Sequence, residues 1–115
     1  MNRLINKTKN TIIANQIEEA KTFFERSKGL LGRKQLSQGH ALWIHHCSSI
    51  HTFFMKFDLD LIFVDKNLRV QSIYQNVKPW RVIIPGFSAR SVFEFSAGQL
   101  SHDILEKGDE LYVSN

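Results

Sequence analysis

The chain has 115 residues, a net charge of +4, nine Phe and two Trp, enough for one domain with one substantial core. No stretch approaches the roughly 20 apolar residues that span a bilayer, and the start MNRLINKTKNTIIANQ lacks the apolar segment of a secretory signal. The single cysteine, Cys47, excludes an internal disulfide and fits a reducing compartment, so a cytoplasmic protein with no membrane partner is expected. Lys and Arg are scattered rather than blocked, and basicity by itself names no anionic partner.

In chain order, residues 1–9 read as a flexible lead and residues 10–113 as a single domain. TIIA is a short strand. NQIEEAKTFFERSKGLLGRK is predicted helical, with Asn15 and Glu18 as a capping box and Gly29 or Gly32 as the left-handed stop. Ile17, Ala20, Phe23, Phe24, Leu30 and Leu31 follow its period. From Ala41 the period becomes two. ALWIHH is a strand, and the alternation of Phe53, Met55, Phe57, Leu59, Leu61 and Phe63 predicts one long, bent strand. A tight turn at DKN, with Asn67 tolerant of positive φ, leads into the strand LRVQSIY. WRVII and RSVFEF are further strands on either side of a Pro85-Gly86 turn. Ser96 and Gln99 cap a second short helix, AGQLSHDILEK, and DELYV closes the chain. The predicted class is α+β: a β-rich single domain whose curled or barrel-like, mostly antiparallel sheet carries one short helix near each end.

Three histidines and the cysteine crowd HHCSSIH, but a strand splits His45 and Cys47 from His46, and zinc needs four converging ligands. No metal or cofactor is expected. A nucleophilic Cys47 would need a histidine partner and a third, orienting group; an inert thiol is the ordinary reading. His51 falls two residues before Phe53 on the apolar face, either as a core-edge histidine or at a pocket mouth. Asp60 and Glu94 sit inside apolar strands, where a carboxylate needs a cation, several donors or a raised pKa. Arg26, Arg33 and Arg81 are the predicted partners. VKPWRV sets Trp80 between two cations, a weak nucleic-acid pattern. Pro79 predicts that Lys78–Arg81 is a rim segment rather than a central strand.

The ordered pieces ERSKGLLGRKQL, SIHTFFMKFDLDLIFVDKNLRV, KPWR and SVFEFSAGQLSHDILEKGDEL resemble the bacterial and archaeal family called domain of unknown function 192, over roughly residues 10 to 113. Asp58 stands where that family usually has proline, and Phe54 where it has Gly or Trp. The resemblance implies a small β-rich α+β fold and no particular activity. On residue type and motif position, the candidate site comprises Arg26, Arg33, His51, Met55, Lys56, Asp60, Trp80, Arg81 and Glu94. The arginines would anchor anions or carboxylates, His51 would be the polar handle, Met55 and Trp80 the apolar walls, and Asp60 and Glu94 the orienting acids. The leading expectation is a non-enzymatic domain that binds a small molecule or a protein partner. An enzyme using His51 or Cys47 ranks second, and a nucleic-acid binder third.

Overall fold

The computed structural model describes residues 2–115. Ten strands, β1 (Arg3–Asn6), β2 (Thr11–Ala14), β3 (Gln16–Ala20), β4 (His40–Ile44), β5 (Ile50–His51), β6 (Leu59–Val64), β7 (Val70–Val77), β8 (Val82–Ile83), β9 (Ser91–Ser96) and β10 (Leu111–Ser114), accompany one helix, α1 (Phe23–Lys28). They form a five-stranded sheet in the order β3-β4-β9-β6-β7, a three-stranded sheet β10-β1-β2 and a two-stranded ribbon β5-β8, none closed into a barrel. Among the described residues, only the β3–β4 pair is parallel.

Strand β9 explains the layering. It lies between β4 and β6, so both of its faces must be covered. Trp43, Phe93 and Ile62 align across the three strands on one face, and Leu42, Glu94 and Leu61 on the other. The first face packs on Leu4, Ile13 and Leu111 of the small sheet. The second packs on Leu30, Leu36 and Met55, in the loops that follow α1 and β5. The central sheet is thus sandwiched, and its second face carries the buried Glu94.

Several expectations from sequence are corrected. The predicted long helix is divided: residues 16–20 pair with β4 instead, with Ile17 buried toward one core and Ala20 toward the other. Parallel pairing overrides the helical propensity of QIEEA, because tertiary burial outweighs a few tenths of a kcal/mol per residue. The capping box moves seven residues on, to Thr22 and Glu25, each bonding the other's backbone N–H. The second helix is absent among the described residues. Gly98 has φ 96°, and residues 97–107 are short turns joined by irregular chain.

The long strand is also shorter than predicted, because the chain turns at residues 52–55. Met55 N–H donates to Thr52 O at 3.2 Å and Phe54 has φ 65°, a conformation that glycine adopts without strain. In the 65–68 turn, Leu68 rather than Asn67 takes the positive φ, at 60°, while Asp65 Oδ1 accepts from Asn67 and Arg69 N–H. Residues 3–6 of the expected flexible lead form the middle strand of the small sheet, with Leu4 fully buried.

Candidate ligand-binding site

The capping box at Thr22 fixes where α1 starts, and Gly29 ends it with φ 49°. A Cβ on Gly29 would lie 3.7 Å from Ile44 Cδ1 and 3.9 Å from Glu94 Oε1, so the end of the helix passes directly over the buried acid. Between them lies a pocket of about 150 Å³. Arg26, Ser27 and Lys28 come from the helix, and Ile44, Leu59 and Glu94 from the central sheet. Cys47, Ser49, Ile50, His51 and Met55 enclose the remaining side.

Two groups in this pocket lack protein partners. The Arg26 Nη1 donates to His46 O at 3.1 Å, whereas its Nε is buried with no hydrogen-bond partner. Such an atom is uncommon, because nearly all buried polar groups are bonded. Glu94 is 5% exposed and flanked across the sheet by Leu42 and Leu61. Burial pushes its carboxyl up to about 7, since low-dielectric surroundings disfavour the charged form.

Of the nine predicted site residues, the fold brings Arg26, His51, Met55 and Glu94 to this pocket. The expected arginine pairing of the two buried acids is corrected: among the described residues the ion pairs involve neither. Asp60 instead accepts N–H bonds from Asn76, Gly98, Gln99 and Leu100 at 2.9 to 3.2 Å. Arg33 does lock to an acid, but to Glu18, through a two-bond fork at 2.8 and 3.1 Å. That pair holds Glu18 below the usual carboxylate range.

Trp80, Arg81 and Lys56 are exposed and lie outside the pocket lining. Trp80 shares an aromatic array with His51 through Phe53, the ring centroids lying 4.8 Å (His51–Phe53) and 5.7 Å (Phe53–Trp80) apart. Residues 78–81 are irregular, as Pro79 suggests. They are pinned by Thr52, whose Oγ1 donates to Lys78 O at 2.7 Å and accepts from Arg81 N–H at 2.8 Å. Thr52 is fully buried and is not one of the sequence-predicted positions. A threonine in an apolar alternation carries no signal of a bond made to residues almost thirty positions away.

The histidines disperse. His45 Nε2 meets Glu19 Oε1 at 2.9 Å and its ring lies tilted against Trp43, while His46 turns away at φ 51°. Among the described residues no three His, Cys, Asp or Glu side chains group closely enough to hold a metal ion. Cys47 Sγ donates to Ser49 O at 3.0 Å, and burial pushes its thiol up, away from the nucleophilic thiolate.

A family model described as DUF192, Uncharacterized ACR, matches residues 4–113. The UPF0127 protein of Pyrococcus horikoshii is 33% identical over 111 residues, covering 94% of this chain and 96% of that protein. The UPF0127 protein of Thermococcus sibiricus is 31% identical over 112 residues, covering 94% of this chain and 72% of its own length. A protein of unknown function from Novosphingobium aromaticivorans has a similar solved structure, with a TM-score of 0.81 at 20% identity over 96% of this chain and 82% of that one. A solved structure from Sinorhizobium meliloti scores 0.80 at 20% identity, covering 97% and 91%. At that identity the likeness concerns the fold.

Proposed function

The chain belongs to the DUF192 family, and from the pocket that its fold builds we propose that it is a binding domain for a small carboxylate. The observation that carries this reading is the Arg26 guanidinium. With Nη1 engaged by His46 O, Nε remains a buried donor that the protein leaves unmatched. A guanidinium edge of two parallel N–H donors matches the two oxygens of a carboxylate.

Glu94 supports the same ligand in its neutral form. Below its pKa of about 7 the carboxyl is a hydroxyl donor that can bond a ligand oxygen; above it, the second negative charge repels an anion. Leu30, Leu31, Ile44, Ile50 and Met55 supply apolar walls, and a cavity near 150 Å³ suits a short aliphatic chain. The enzyme reading using His51 or Cys47 has less behind it. Cys47 Sγ is engaged by Ser49 O, and His51 Nδ1 accepts from Phe53 N–H at 3.3 Å. Neither contact forms a nucleophile–base pair.

Titration calorimetry with a series of short aliphatic carboxylates, from acetate to hexanoate, tests the proposal. For so few atoms a Kd of about 1 mM is expected. Affinity should fall about tenfold or more as pH rises through 7, because deprotonation of Glu94 opposes binding. Arg26→Met should abolish binding, and Glu94→Gln should keep it while removing its pH dependence. Wild type and Arg26→Met giving the same isotherm would overturn the assignment.

A further inference from the structure

The β5–β8 ribbon turns one face to the core and leaves the other bare. Ile50 and Ile83 pair across it and pack on the pocket-side core. The neighbouring pair, His51 and Val82, alternates to the other face: Val82 is 57% exposed, and His51 is exposed there while also edging the pocket. Ile84 continues that outward face at 75% exposure. Trp80 joins it through Phe53 and meets Phe54, 71% exposed, edge-on at 4.7 Å. Beyond Ile84, a turn closed by Ala89 N–H to Gly86 O carries Phe87, 95% exposed. Large apolar side chains exposed along one ribbon and the turn that follows it mark an interaction site rather than incidental exposure.

The unpaired charge on the segments that build this surface has one sign. Between Glu25 and Asp58, and again between Asp65 and Glu94, the chain contains no acidic residue. Both ribbon strands and the Phe87 turn come from those intervals. Asp58, beside them, is matched to Lys78 at 2.6 Å. Lys56, Arg81 and Arg90 are exposed and take part in none of the ion pairs found among the described residues. Arg90 grips the turn from below, its Nη1 donating to Phe87 O, so a cation backs the most exposed ring of the chain.

We infer that the outer face of the β5–β8 ribbon, with the Phe87 turn at its end, lies against an anionic lipid bilayer surface. Aliphatic and aromatic side chains sink into the headgroup boundary while cations just behind them meet the phosphates. Long Lys and Arg stems reach that level without burying their charge. A second copy of the chain fits less well, since two such faces would oppose cations with cations. A nucleic acid also fits less well: His51, Phe53, Phe54 and Trp80 cover one another's rings, and Val82 and Ile84 offer no stacking face. That no helix among the described residues is long and apolar enough to cross a membrane concerns spanning, not lying against a surface.

Cosedimentation of the full chain with large unilamellar vesicles, of phosphatidylcholine alone or mixed with phosphatidylserine, tests this. Binding is expected to the mixed vesicles and to weaken steeply with added salt. A Phe87→Ser, Ile84→Ser double variant should lose about tenfold in partitioning. Its melting temperature and its carboxylate isotherm should stay at wild-type values, which separates this surface from the pocket. No cosedimentation at low salt, or equal binding by the double variant, overturns the inference. So does a concentration-dependent dimer, or oligothymidylate binding, that the double variant abolishes while vesicle binding is absent.

Discussion

Asp60 and Glu94 are neighbours on adjacent strands of one sheet, in the paired rows Asp60–Phe95 and Leu61–Glu94, yet they face opposite cores. Both are almost completely buried. Asp60 sits under a backbone loop that aims the N–H groups of Gly98, Gln99 and Leu100 at one oxygen, and Asn76 N–H bonds the other. Glu94 sits between two leucines with a pocket above it, and burial alone governs its pKa. Burial of an acid therefore does not by itself reveal its role. The donors that the fold turns toward it do: the satisfied carboxylate ties the architecture together, and the proposed binding role rests on the unsatisfied one.

The largest effect should come from the architectural acid. Asp60→Ala leaves four backbone N–H groups without their acceptor, each worth about 1 kcal/mol or more when buried. A loss of about 4 kcal/mol is expected in urea unfolding, and an unchanged midpoint would remove the distinction between the two acids.

Glu94→Gln should act in the opposite direction. Its carboxyl titrates at about 7 in the fold against 4.5 as a free group, so below about pH 4.5 both folded and unfolded chains hold the proton. Between the two values only the unfolded chain releases it, and stability falls as pH rises to about 7, then levels. At about 1.4 kcal/mol per unit, the glutamine variant should exceed wild type by about 3 kcal/mol at pH 8 and match it at pH 4. Parallel stability–pH curves for the two proteins would mean that Glu94 has partners in solution.

The smallest effect belongs to the arginine–acid pair that does form. Arg33 and Glu18 remain about 40% exposed, so Arg33→Gln should cost less than about 1 kcal/mol. A loss as large as that of Asp60→Ala would reverse the ranking of backbone donors over ion pairs in this fold.

What could be read in advance follows the range of the interactions. The strands 11–14, 91–96 and 111–114 each appear in the amino-acid pattern, because two-residue alternation and flanking turn residues are local properties. The need of Asp60 and Glu94 for compensation was also legible, since a charge inside an apolar strand is costly whatever surrounds it. Which compensation each received was not. The N–H groups that satisfy Asp60 come mostly from almost forty residues away, along a segment whose local pattern reads as a helix.

Four of the nine site residues named from sequence meet at the pocket. Arg26 arrives there because α1 starts at Thr22 rather than Asn15, after β3 has taken residues 16–20 into the sheet.

The sequence by itself determined a single β-rich domain, its family, most of its strands and the two positions where a buried acid demands an explanation. Periodicity and side-chain chemistry act over a few residues, so they survive without a partner strand. Only the tertiary structure decided that QIEEA pairs instead of coiling, that the chain turns at Thr52, and that Arg26 and Glu94 face one cavity while Trp80 and Arg81 face outward. Those outcomes depend on which distant backbone supplies the hydrogen bonds and the covering side chains, and no local pattern encodes that choice.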